Sequence, residues 1–183
     1  MEEEDCTKIY RLSIKKVVVI GPESTGKSSL SQGLARSLDT VWVPEYARQY
    51  LEELDRPYEE QDLAEIAKGQ LFAEEALTGT ANKLLICDTD LNVVKVWSEH
   101  RYDRCSSGIL QSIAERRYDL YLLTYIDVPW QDDPQREHPE EGMRSYFYQQ
   151  YLDIVMNSGV PWADMRGNEE QRLQLALDAL KAL

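Results

Sequence analysis

A chain of 183 residues with 43% apolar side chains has room for one substantial core and none for a second full domain, so residues 1–183 read as a single domain. Thirty-three acids against 20 lysines and arginines leave a net charge of -13; this repels polyphosphate backbones, no basic stripe offsets it, and nucleic acid is a poor partner. No apolar run is long enough to span a bilayer, and Glu2, Glu3, Glu4 and Asp5 are the opposite of a cationic leader, so a soluble, cytoplasmic protein with no membrane partner is expected.

Residues 1–13 carry acids and mixed polar side chains without a period and read as a frayed lead-in. Lys15 to Ile20 is a continuous apolar run, the pattern of a central strand buried on both faces. It runs into Gly21-Pro22-Glu23-Ser24-Thr25-Gly26-Lys27-Ser28, a G-x-x-x-x-G-K-S (Walker A) phosphate-binding loop. Its glycines let the backbone amides face a phosphate, and the helix N-terminus behind it adds a positive dipole end. That helix runs from Lys27 to about Ser37, with Leu30, Leu34 and Leu38 on one face.

Val41 to Pro44 is a short strand carrying Glu45-Tyr46-Ala47-Arg48 at its end. Pro57, with Glu59, Glu60 and Asp62, opens a helix in which proline suits the first position and acids suit the dipole. Leu63, Ile66, Ala67 and Leu71 form its apolar face, and Thr78-Gly79-Thr80 ends it. Leu84 to Cys87 is a third strand delivering Asp88-Thr89-Asp90 to the edge where the phosphate loop lies. Val93, Val94 and Trp97 follow at helical spacing; Ile109, Leu110, Ile113 and Ala114 form another face after Ser106-Ser107-Gly108.

Asp119 to Ile126 is the fourth strand. From Asp127 to Pro139, three prolines forbid regular structure and leave a loop. Met143, Phe147, Tyr151 and Val155 mark the next helix, stopped at Gly159. Val160 to Met165 gives a fifth strand, and Asn168 with Gln171 forms a capping box for a last helix burying Leu173, Ala176, Leu177 and Leu180. Strands alternating with helices imply a three-layer α/β domain with a parallel sheet and right-handed crossovers, whose ligands sit beyond the carboxyl ends of the strands.

The polar clusters fall there. Gly21, Glu23, Ser24, Thr25, Gly26, Lys27, Ser28 and Ser29 are expected to hold a purine nucleoside triphosphate, with Lys27 on the β/γ-phosphates and the Ser28 hydroxyl on Mg²⁺. Asp88 is placed to hold the metal, directly or through water; the alternative is a helix N-cap at this strand end, a role open to Thr89 or Asp90. Glu45 is placed to activate an acceptor hydroxyl, unless it pairs with Arg48. Arg136 in the loop can swing over the γ-phosphate, and Trp130 needs something to cover it. His100, His138 and Cys105 lack partners at ligand or triad spacing and read as surface residues. Cys6, Cys87 and Cys105 are an odd number without metal spacing and read as inert, reduced thiols.

With the loop, Pro44-Glu45-Tyr46-Ala47-Arg48, Cys87-Asp88-Thr89-Asp90, and Trp130 with Asp132, Asp133 and Arg136, the chain resembles the ribosylnicotinamide kinase domain of NadR-type NAD biosynthesis proteins and related stand-alone P-loop proteins. The resemblance spans nearly the whole chain. It implies a nucleoside-kinase-like P-loop fold with strand order 2-3-1-4-5, a lid, and ATP-dependent phosphorylation of the 5′-hydroxyl of nicotinamide riboside. Glu45 resembles the base-bearing position of deoxynucleoside kinases. Asp133-Pro134-Gln135-Arg136 departs from the glycine-leucine pair that precedes the family's lid arginine, and no adenylyltransferase or DNA-binding domain is attached, so neither function is implied.

Tyr46, Arg48, Asp90 and Trp130 are then expected on the acceptor. Tyr46, Tyr50, Trp97 and Trp130 would stack on a cationic ring, though Trp97 also fits a core position; Glu45, Asp88, Asp90, Asp132 and Asp133 would add a negative field. A guanine switch would need N-K-x-D after a late strand, whereas Asn82-Lys83 precedes the third. A kinase of another nucleoside or small hydroxyl compound, and a P-loop ATPase or nucleotide-binding regulator without transfer activity, remain the alternatives.

Overall fold

The computed structural model describes residues 14–183; the lead-in expected over 1–13 lies outside them. Five strands alternate with seven helices among the described residues: β1 (Lys15–Ile20), α1 (Lys27–Ser37), β2 (Trp42–Val43), α2 (Tyr46–Glu53), α3 (Glu60–Thr78), β3 (Leu84–Asp88), α4 (Leu91–Tyr102), α5 (Ser107–Glu115), β4 (Leu120–Thr124), α6 (Glu141–Asn157), β5 (Trp162–Met165) and α7 (Glu169–Leu180). All strand pairs are parallel and the order is β2-β3-β1-β4-β5, as the resemblance implied.

Period-two alternation assigns each strand residue to a face. Val17, Val19, Ile86, Leu120 and Leu122 meet Leu30 and Leu34 of α1 and Ala176 of α7 on one side. Val18, Ile20, Leu85, Cys87, Tyr121 and Leu123 meet Val96 of α4 and Tyr148, Tyr151 and Val155 of α6 on the other. A further cluster joins Leu63, Ile66 and Ala67 of α3 to Leu91 and Val94 of α4 and Ile109 of α5. These layers hold the carboxyl ends of β1, β2, β3 and β4 side by side, about 5 Å per strand.

The differences from expectation are local. Helix α2 was not foreseen, because none of its residues is fully buried and it carries no core stripe. Helix α3 starts at Glu60 rather than at Pro57: Glu59 is its cap and Asp62 completes a capping box, so Pro57 stands ahead of the helix. Leu110 is 40% exposed and leaves the expected apolar face of α5. The Asn168–Gln171 capping box is present, but α7 buries Arg172 and Ala176 most fully, with Leu173, Leu177 and Leu180 only half-buried. No helix among the described residues is long and apolar enough to cross a membrane.

Candidate active site

Register sets the phosphate loop against β4. Ile20 pairs with Leu123, so Gly21 lies level with Thr124. A Cβ on Gly21 would stand 2.3 Å from the Thr124 hydroxyl oxygen and 2.8 Å from its carbonyl oxygen; only glycine fits this approach. Gly26, at φ 78°, closes the loop in the left-handed region. The buried Thr25 hydroxyl donates to the Pro22 carbonyl at 2.7 Å and lies 2.7 Å from the Thr124 hydroxyl. Lys27 Nζ donates to the Pro22 carbonyl at 2.9 Å. Helix α1 has neither a side-chain cap nor an acid in its first turn, so its N-terminal amides are left for an anion.

Arg172, the one basic residue of α7, holds this loop from behind. It is 3% exposed. Its guanidinium donates to the carbonyls of Gly167 at 2.8 Å, Tyr125 at 2.9 Å and Thr25, and pairs with Asp127. The signal for it was a cation four residues before Ala176 on the buried stripe; Thr124 carried no signal at all.

The proline-rich loop is docked on the phosphate loop. Ser24 Oγ accepts from the Gln131 amide at 2.8 Å and from Arg136 at 3.2 Å, and Arg136 also donates to the Gln131 carbonyl at 2.6 Å. Glu23 accepts from the amides of Glu137 at 3.0 Å and His138 at 3.4 Å. Glu23 and Ser24, expected on the nucleotide, here fasten the loop. Trp130 does not line the cavity: its indole N–H donates to Asp132 at 3.0 Å, and its ring lies 5.8 Å from the Arg144 guanidinium.

Arg144 is a residue the sequence reading missed. It is 9% exposed and faces the cavity, it donates to the carbonyls of Val128 at 3.0 Å and Ser24 at 3.4 Å, and its Nε has no partner. Burial pulls its pKa below the usual arginine value. A buried cation held only by carbonyls beside a phosphate loop is a charge in want of an anion.

Three carboxylates were expected at this edge, and their environments differ. Asp88, level with Val19 of β1, is 2% exposed and its Oδ1 has no hydrogen-bond partner. Burial, then the neighbouring Glu45, pushes it up to about 6 against the opposing pull of Ser28, Lys27 and Arg48. Asp90 is the N-cap instead: it accepts from the Asn92 amide at 3.0 Å, the Asn92 side chain at 2.7 Å and the Tyr121 hydroxyl at 2.8 Å, and it does not line the cavity. Glu45 caps α2 through its backbone alone and makes no side-chain cap. Its carboxylate lines the cavity, while Arg48 pairs with Asp133 at 2.9 Å and reaches Glu52 at 4.0 Å rather than Glu45.

One cavity of about 920 Å³ joins the phosphate loop, Glu45, Arg136 and Arg144, while Asp88, like Asp90, lies behind its lining. At one end it passes Gly33, Arg36, Asn168 and Leu173; at the other it is walled by Leu51, Tyr58, Val96, Trp97, His100 and Phe147. Of the four aromatics expected on the acceptor only Trp97 is here. Tyr46 packs on Gly69, where a Cβ would fall 2.0 Å from its ring, and Tyr50 donates to Asp62. Asp132 and Asp133 are engaged with Trp130 and Arg48, so Glu45, Glu23 and Glu137 are the carboxylates of the central lining. His100 and His138, expected at the surface without partners, meet edge to face at 5.0 Å and both pack on Phe147. Cys105 is half-buried against the α3–α4–α5 cluster.

The residues fit a magnesium ion of the kind phosphates largely hold. No group of three or more His, Cys, Asp or Glu able to bind a metal occurs among the described residues, but the Asp88 carboxyl, with its Oδ1 orphaned, neighbours the Ser28 side chain. One carboxylate and one hydroxyl are what such a site asks of the protein.

Comparison with known proteins agrees with this geometry. The family model described as "AAA domain" matches residues 16–172. The trifunctional NAD biosynthesis/regulator protein NadR of Salmonella typhimurium is 25% identical over 166 residues, which is 87% of this chain and 40% of that protein. A crystal structure of NadR protein in complex with NR superposes with a TM-score of 0.76 at 25% identity, over 93% of this chain and 50% of that one. Thymidylate kinase from Candida albicans shares the fold, with a TM-score of 0.67 at 11% identity over 92% of this chain and 91% of its own. The chain thus spans half or less of the NadR proteins it matches, and the resemblance to NadR found in the motifs holds along most of its length. With the family model covering 16–172 and the phosphate loop built as described, this chain belongs to the AAA domain family of P-loop proteins.

Proposed function

We propose that this protein is an ATP-dependent phosphotransferase of the nucleoside-kinase type, and that its acceptor is nicotinamide riboside, phosphorylated on the 5′-hydroxyl to nicotinamide mononucleotide. The observation that carries the transfer reading is the Glu45 carboxylate: it has no ion-pair partner among the described residues and lines the same cavity as Lys27 and the α1 N-terminus. A regulator that only bound nucleotide would have no need of an unpaired carboxylate there. The likeness to NadR supports the choice of acceptor.

Each group then has a role. The amides of Gly26 to Ser29 and Lys27 hold the triphosphate, and Gly33, Arg36 and Leu173 flank the end left for its base. Asp88 and Ser28 would hold Mg²⁺, which when bound neutralises charge on the β- and γ-phosphates. Glu45 accepts the proton of the acceptor hydroxyl as that oxygen bonds to the γ-phosphorus; the bond from that phosphorus to the β–γ bridging oxygen breaks, and ADP leaves with the electron pair. Arg144 and Arg136 place positive charge where the phosphoryl oxygens pass, and the docked 127–139 loop keeps water out. A cytoplasmic location, where ATP is plentiful and thiols stay reduced, goes with this reading.

The test offers ATP with nicotinamide riboside, uridine, adenosine and deoxynucleosides in parallel and follows the phosphomonoester by mass. Nicotinamide riboside is expected to be the best acceptor. If a neutral nucleoside is phosphorylated and nicotinamide riboside is not, the acceptor is wrong and the kinase stands; if none is phosphorylated while ATP is bound, the transfer reading fails.

A further inference from the structure

Asp62, in the first turn of α3, is 2% exposed and does not line the cavity. Its carboxylate accepts from both guanidinium nitrogens of Arg56 at 2.8 Å each, from the Tyr50 hydroxyl at 2.8 Å and from the Glu59 amide at 2.6 Å. Four donors from α2, the following loop and the helix cap converge on one buried carboxyl, and Arg56 foremost holds it far below the ordinary carboxylate range. It is therefore ionised at every working pH.

These bonds fasten the segment between α2 and α3, and that segment presents Tyr58. The Tyr58 hydroxyl accepts from the Trp97 indole N–H at 2.7 Å, with ring centroids 4.7 Å apart and planes at 65°. The Arg101 guanidinium lies 4.7 Å from the Tyr58 ring centre. The Trp97 N–H is satisfied by the Tyr58 oxygen, which keeps its own hydroxyl proton, and the two rings together offer the cavity a largely aromatic wall.

We propose that Asp62 is a positioning residue for acceptor choice: through Arg56, Tyr50 and Glu59 it holds Tyr58 on Trp97 and so sets how large a ring the acceptor end admits. This rests on the kinase reading for its substrate, not for its geometry. Releasing the segment lets Tyr58 leave the wall, so a bicyclic purine nucleoside gains ground on a single-ring one. ATP is held at the other end and does not sense the change.

Asp62→Asn keeps volume and removes the charge that Arg56 needs. The expected result is an acceptor KM raised about tenfold, the size of one lost positioned contact, with the KM for ATP and kcat within about twofold of the parent. The preference for a single-ring nucleoside over adenosine should shrink by a similar factor. Tyr58→Phe, which removes only the hydroxyl, should shift acceptor KM in the same direction by less. In a protein with Trp42, Trp130 and Trp162 replaced by Phe, Trp97 emission should move to the red and become more accessible to acrylamide on Asp62→Asn or, if that variant does not fold, on Arg56→Gln. Unchanged Trp97 emission, or a loss of kcat and ATP affinity in step with melting temperature, overturns the proposal. If the parent phosphorylates no nucleoside, the kinase reading fails and the emission measurement still decides whether Asp62 holds the wall.

Discussion

The two ends of the cavity are built by different means. The phosphate end is mostly backbone: a tight loop with glycines at two positive-φ positions, backed by Thr124 and Arg172 through bonds to carbonyl oxygens and faced by open helix amides. The acceptor end is mostly side chain, with Tyr58, Trp97, His100 and Phe147 drawn from a loop, α4 and α6. A backbone cradle is fixed by local conformation and serves any nucleoside triphosphate. A side-chain wall depends on long-range packing and is where selectivity is set.

The largest effect expected from this division is on Lys27. Lys27→Ala should lower turnover by on the order of a thousandfold or more and weaken ATP binding, since a preorganised charge on the phosphates is lost; titration calorimetry with ATP checks it. If affinity and turnover both survive, the phosphate end has been wrongly located. Glu45→Gln should come next, lowering kcat by on the order of a hundredfold while ATP affinity stays at the parent value. A Glu45→Gln enzyme turning over normally would pass the base role to another group.

Asp88 and Arg144 sharpen the contrast by opposing function and stability. The folded-state value of Asp88 is about 6 against 3.8 for a free aspartate, so folding disfavours its ionised form. The contribution of Asp88 to the stability of the ligand-free protein should therefore be fullest near and below pH 4, and lost as pH rises through 6. Asp88→Asn should stabilise the ligand-free protein above pH 6 by on the order of 3 kcal/mol at about 1.36 kcal/mol per unit, read as a higher melting temperature, and the gain should vanish toward pH 4. The same variant should change the Mg²⁺ dependence of turnover. Arg144→Met should likewise leave the ligand-free protein at least as stable while reducing kcat. Thermal melts across pH, set beside Mg²⁺ titrations, check both; a destabilised Asp88→Asn protein at pH 8 would count against the orphaned carboxylate. The smallest effect belongs to the aromatic end: Phe147→Leu should raise acceptor KM about threefold, the value of roughly one shape-specific contact, without moving ATP binding.

How much of this was legible follows the same division. Local patterns carried the phosphate loop, α1, the β-branched strands and the α7 capping box, because spacing along the chain is what builds them. Glu45 and Asp88 could be placed at the carboxyl edge because register in a parallel sheet positions strand ends predictably. Tyr58, Arg144 and Thr124 could not be placed, since each acts through a neighbour more than 35 residues away and none breaks a local pattern. Asp90 stayed open between two roles, since a strand-end acid suits both a site and a helix cap, and its three donors show that it caps α4.

The most direct measurement is a single turnover with enzyme in excess over γ-labelled ATP, with and without nicotinamide riboside. The account predicts that label passes to a phosphomonoester when the nucleoside is present, and that ATP stays largely intact when it is absent. Label released as inorganic phosphate at the same rate in both cases would contradict it.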